Sequence, residues 1–190
     1  MELKEQILEA VAWEFNEKGI KFTMDDIAKR LGISKRTLYA EIPDKESVFI
    51  DAVDYVFGAI KECEKEIAED TSLDIVDKLR KILIVLPQKY RTIDFRKLYS
   101  LKSKYPKIYK KIETRIETQW ETTFAIMEEA MKQGRIKKIN LTVFQAIFSG
   151  TIEHYLSRSI LIDSQITYEE ALKQMLEIIM NGIVISDLES

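Results

Sequence analysis

Apolar residues recur at three- and four-residue intervals along this chain, and no stretch alternates apolar with polar long enough to make a strand. Only six Gly and three Pro are spread over 190 residues, little material for the tight turns that a sandwich or barrel needs. The expected fold is therefore all-α, with about nine helices. A hydrophobic content of 46% is enough to give it a real core.

The first helix, about Glu2 to Lys18, places Ile7, Val11 and Phe15 on one stripe that Leu8 and Ala12 widen, and Gly19 stops it. Thr23, with Asp26 three residues on, is expected to cap a short second helix that carries Ile27, Ala28 and Leu31 to Gly32. Ser34 caps a third, about Lys35 to Glu41, which buries Leu38 and closes before Pro43. From Asp44 a fourth helix, over 44–68, keeps apolar spacing from Phe49 to Ile67. It is too long for the small unit and reads as the rod that joins it to the rest.

Beyond Asp70 the periodicity predicts helices over 73–86 and 90–104, broken by Pro87 and Pro106, and a long one with Ile108, Ile112, Ile116, Trp120, Phe124, Met127 and Met131 on one face until Gly134. The last two, about 141–162 and 167–186, are apolar on more than one face and must be covered all round. A second copy of the same pair would cover them, which predicts a homodimer with a four-helix contact. The division expected is 1–46 for the N-terminal unit and 47–190 for the larger helical one.

Net charge is −3, which by itself argues against nucleic acid, but the distribution is uneven. Residues 1–50 hold eight Lys/Arg against ten Asp/Glu, 51–77 two against nine, and 78–115 thirteen against two. Within the first segment Lys29, Arg30, Lys35, Arg36 and Lys45 form a local basic cluster. The stretch from Lys78 to Arg115 reads as a solvated face, neutralised by Glu62, Glu64, Glu66, Glu69 and Asp70 of the same or the partner chain, or as one that draws in an anionic effector. The single cysteine, Cys63, reads as a small buried hydrophobe. With neither a signal-like opening nor an apolar run near the ~20 residues of a membrane span, a cytoplasmic protein is expected.

Two helices joined by a glycine turn are common, so the spacing carries the functional argument. Ala28 is small where the helices cross, Gly32 supplies a left-handed turn, and Leu38 packs the second helix of the pair on the first. With Leu38 inward, Lys35, Arg36, Thr37 and Tyr39 cover the outer surface, and the N-terminal residues of such a helix are those that meet base edges. Lys35 and Arg36 suit acceptors on guanine, while Thr37 and Tyr39 offer neutral donors to phosphate, joined near helix starts by Thr23 and the cationic Lys45.

The run from Phe22 to Phe49 resembles the DNA-binding segment of the tetracycline-repressor (TetR) family, in its AcrR-like form. Ile27-Ala28, Gly32, Ser34, Thr37-Leu38-Tyr39 and Lys45-Glu46 stand at that family's spacing within residues 7–57. The resemblance implies base contacts from Lys35 and Arg36 and phosphate contacts from Thr23, Thr37, Tyr39 and Lys45, and Ser34 is counted with them as a DNA-binding residue. It also implies a palindromic double-stranded operator, dimerisation through the last two helices, and an effector pocket within residues 70–190. Ala40-Glu41-Ile42 and Asp25 depart from the family's usual pattern, so they leave the operator sequence open.

For that pocket, Phe95, Tyr99, Trp120, Phe124 and Phe148 are preferred for their central places on the surrounding helices, and His154 reads as a structural or pocket-lining histidine. The expected effector is small and hydrophobic or amphiphilic. No cofactor or metal is expected, because no Cys or second His stands at ligand spacing. Three functions compete: a ligand-responsive regulator, usually a repressor; a helical protein-interaction module; and an enzyme, which lacks any visible nucleophile with its base.

Overall fold

The computed structural model describes residues 2–185, all in helices and the turns between them apart from one isolated antiparallel bridge joining Ile136 to Val184. α1 (Leu3–Lys18) buries Ile7, Val11 and Phe15 and ends at Gly19, whose φ of 57° is one that a side chain would strain. α2 (Met24–Leu31) opens on Thr23, and the two side chains of the capping box exchange bonds: Asp26 N–H donates to Thr23 Oγ1 at 3.2 Å, and Thr23 N–H donates to Asp26 Oδ2 at 2.8 Å. Gly32, at φ 65°, turns the chain into α3 (Lys35–Glu41), capped by Ser34 and seated by the fully buried Leu38. Asp44 caps α4 (Lys45–Glu69), which packs against α1 and runs on into the larger bundle.

Beyond α4 the chain departs from the predicted periods in three places. The helix expected over 73–86 is α5 (Ile75–Ile82) only; Asp74 caps it, and the chain unwinds from Leu83 toward Pro87 with Ile84 and Leu86 turned onto a cavity. The helix expected over 90–104 is two 3₁₀ turns, Gln88–Tyr90 and Phe95–Ser100, followed by the short α6 (Leu101–Lys104). Here tertiary bonds outweigh propensity. Asp94 N–H donates to Asn16 Oδ1 of α1 at 2.8 Å, Lys89 pairs with Glu9 of α1 at 2.5 Å, and Lys97 donates to the Asn16 carbonyl.

The single long helix expected through Met131 is split into α7 (Pro106–Glu117) and α8 (Glu121–Lys132). Gln119 takes a φ of 64°, Lys61 of α4 donates to its carbonyl at 2.6 Å, and Trp120 Nε1 donates to the Ile116 carbonyl at 3.0 Å, satisfying a group freed by the break. The ring of Trp120 then packs on Phe124, Phe144 and Phe148.

The helix expected over 141–162 stops at Ser157 as α9 (Leu141–Ser157), and a separate turn, α10 (Ile160–Asp163), follows. α11 (Tyr168–Ile183) begins at the Thr167 cap; Ser186, the expected end, lies outside the described residues. No helix among the described residues is long and apolar enough to cross a membrane.

Candidate nucleic-acid interface and interior cavity

The helix–turn–helix presents α3 to solvent, its inner face held by Leu38 and the buried Ile27 and Ala28. The seven residues singled out from sequence lie on α3, at its Ser34 cap and at the starts of α2 and α4, and their polar groups are not equally available. Arg36 is exposed with no ion pair among the described residues, and Tyr39 is exposed. Ser34 and Thr37 share a hydroxyl–hydroxyl bond of 2.8 Å. The Thr23 hydroxyl is engaged with Asp26, whose carboxyl is lowered to about 2 by Lys18 and by the Thr23 bonds.

Lys35 forms an ion pair of 2.6 Å with Asp25 of α2, so the departure noted at position 25 partly neutralises an expected base reader. Lys45 is half-buried. Its ammonium donates to the Ile20 carbonyl at 2.6 Å and lies 4.3 Å from the centre of the Phe22 ring and 5.4 Å from that of Tyr105. Arg30, counted in the basic cluster, turns away from this edge and donates to the buried Glu14 at 2.7 Å and to Glu17 at 2.6 Å. Burial pushes the Glu14 carboxyl up, but bonds from Lys18 and Arg30 outweigh it and hold it below the ordinary range. The available cations of the motif are therefore fewer than the sequence count.

Behind this unit lies a cavity of about 220 Å³, walled by α1, α4, the segment from Ile82 to Leu98, α7, the α7–α8 break, α9 and α11. Phe95, Trp120 and Phe148 line it. Tyr99, Phe124 and His154 do not. Tyr99 and His154 are exposed, and Phe124 packs on the outer side of Trp120, because the α7–α8 break rotates α8 off the stripe that the sequence continues. Periodicity could not have nominated Val11, Ala12 and Phe15 of α1, since those positions read as core of the small unit. Lys61, Glu64 and Arg115 are the charged side chains on the wall.

Within the chain, the ion pairs of the basic stretch from Lys78 to Arg115 are made with carboxylates outside the acidic run 62–70, although Asp70 feels the charges of Lys81 and Lys78. Lys89 pairs with Glu9, Lys107 with Glu46, Lys111 and Arg115 with Asp54, Arg96 with Asp94, and Arg80 with Glu177. Cys63 is half-buried rather than buried.

Residues 7–52 match the family model described as bacterial regulatory proteins, tetR family. The HTH-type transcriptional regulator YvaF of Bacillus subtilis is 30% identical over 167 residues, 88% of each chain. Among solved structures, a TetR transcription regulator from Haloarcula marismortui superposes with a TM-score of 0.74 at 17% identity, over 96% of this chain and 98% of that one. FadR from Bacillus subtilis, crystallised with stearoyl-CoA, gives 0.65 at 20% identity over 92% and 96%. With the helix–turn–helix in place and a relative of that identity along most of its length, the chain belongs to the tetR family of bacterial regulatory proteins and is a transcriptional regulator.

Proposed function

We propose that this regulator is a ligand-responsive repressor that binds a palindromic operator as a homodimer. The observation that carries the reading is the exposed outer face of α3, where Arg36 and Tyr39 stand beyond a hairpin rigidly fixed by Gly32 and Leu38. Arg36 is the principal base reader and Lys35 a secondary one held by Asp25; Ser34, Thr37, Thr23 and Tyr39 line the phosphate side. The functional division is residues 1–46 for DNA and 47–190 for effector and partner.

Dimerisation is supported by the bare apolar faces of the last long helices. Val143 and Ile147 of α9 are 56% and 58% exposed, and Ile178 of α11 is 75% exposed, large apolar side chains that a second copy of the same helices would cover. The effector is a small hydrophobic or amphiphilic molecule held in the interior cavity. Its largely apolar wall supports this, as does the fatty acyl ligand of the structurally similar FadR. An effector that prefers the cavity as it stands off DNA lowers operator affinity by linkage.

Footprinting over the DNA that flanks the gene tests the reading. Two protected half-sites about one helical turn apart are expected, with protection lost when Arg36 is replaced by Ala at the same protein concentration. Uniform protection of all DNA would remove the claim of sequence reading.

A further inference from the structure

The cavity wall is apolar except at the end where α4 faces the α7–α8 break, and there the hydrogen-bonding capacity is unevenly used. Lys61 Nζ donates to both oxygens of Glu64, at 2.9 and 2.8 Å, and to the Gln119 carbonyl at 2.6 Å, which occupies its three protons. Arg115 gives two of its N–H groups to Asp54, at 2.7 and 2.5 Å, which pairs its charge. Thr118 gives its hydroxyl proton to the Thr114 carbonyl and Trp120 its indole N–H to the Ile116 carbonyl. The donors of Lys61, Thr118 and Trp120 are thus spent within the protein, while Arg115 keeps N–H groups beyond the two that Asp54 takes.

Glu64 is in the opposite position. Its side chain is only 10% exposed and lines the cavity, yet each carboxylate oxygen receives a bond from Lys61 alone among the described residues. An ionised carboxylate accepts about four hydrogen bonds and gives none. Burial pushes this carboxyl up and Lys61 only partly offsets it, so the site is under-solvated for the charge it holds. The remaining hydroxyls of the wall, Thr123 and Tyr168, can give or take a bond and favour neither kind of ligand.

We infer that the effector is an apolar molecule carrying a hydrogen-bond donor, an alcohol or amine, which binds Glu64 from within the cavity. This rests on the reading of the cavity as the effector site and adds the polar group to it. Roughly 150 Å³ suffices for benzene, so at about 220 Å³ the space takes a benzene ring with a short alkyl tail. Lys61 and Glu64 are then the specificity pair: Glu64 receives the donor, and Lys61 holds Glu64 toward the cavity while tying α4 to the Gln119 turn.

The test uses four compounds of one shape, para-butylbenzyl alcohol, para-butylbenzylamine, para-butyltoluene and para-butylbenzoate, titrated calorimetrically into the full-length protein. Release from operator DNA is followed in parallel by fluorescence anisotropy. The alcohol and the amine should bind at least about tenfold more tightly than the toluene and the benzoate, as a bond to a charged acceptor implies. In the double variant Lys61→Met, Glu64→Leu, which removes both partners together and leaves no unpaired charge, that preference should vanish while toluene binding persists.

Equal binding of alcohol and toluene by the wild-type protein overturns the donor assignment but leaves the effector site standing. So does tighter binding of the benzoate. Failure of all four to bind or to release DNA overturns both. If the double variant does not fold, Glu64→Gln, which keeps a carbonyl for Lys61, should narrow the preference severalfold; an unchanged preference there refutes the role of Glu64.

Discussion

Replacing Lys45 by Ala separates two roles that one side chain cannot fully play at once. In the family pattern this lysine is a phosphate clamp, but here its ammonium is engaged with the Ile20 carbonyl and the Phe22 ring, while its stem crosses from the start of α4 toward Tyr105. A hydrogen bond from a charged donor contributes about 1.5–3 kcal/mol, and half-burial places this one near the lower figure. A cation over an aromatic face adds ~0.5–1 kcal/mol at a partly exposed site. The sum, about 2 kcal/mol, corresponds to a fall of ~4–8 °C in Tm for a chain of this size. Urea or thermal unfolding of Lys45→Ala beside Lys45→Met, which keeps most of the stem, measures it. An unchanged Tm, combined with weaker binding to every DNA sequence and a salt slope shallower by ~1, would show that the lysine reaches phosphate and that the intramolecular bonds count for little.

Arg36→Ala should lose ~1–3 kcal/mol of discrimination at a single base pair while leaving others alone, read by competition binding over single-substitution operators. Asp25→Asn should release Lys35, strengthening binding to all DNA severalfold and steepening the salt dependence, and an unchanged slope would mean that Lys35 points elsewhere. The carboxyls of Asp26, lowered to about 2, and of Glu14, also lowered, are depressed on folding. Their contribution is complete above the ordinary carboxylate range and is lost as pH falls below about 4 toward 2, so Asp26→Asn should flatten the acid limb of a stability–pH curve. Ile178→Asp, together with Ile147→Asp, should give a monomer in sedimentation with the helix content kept and half-site DNA affinity greatly reduced.

The N-terminal elements were legible from sequence nearly residue for residue because their signals are local. Thr23 with Asp26, Ser34 and Asp44 cap through bonds to groups within three residues, and Gly19 and Gly32 stop helices by backbone freedom alone. From Leu83 to Trp120 the decisive bonds join residues far apart in the chain. The pairing of Asp94 with Asn16, of Lys89 with Glu9 and of Lys61 with Gln119 interrupts helices whose apolar spacing is intact. The α7–α8 break explains why Trp120 and Phe124, four residues apart, fall on and off the cavity wall. The sequence over-counts free cations for a like reason: Arg30, Lys35 and Lys45 find partners that only the folded chain brings near.

The cavity shares Phe15 and Phe49 with the core of the DNA-binding unit, where the two rings lie 5.3 Å apart and Phe22 joins Phe49 at 5.6 Å. A cavity of about 220 Å³ therefore borders the packed rings on which the helix–turn–helix rests. A molecule seated there would press on the rings beneath the helix–turn–helix and so bear on α3 without touching α3 itself.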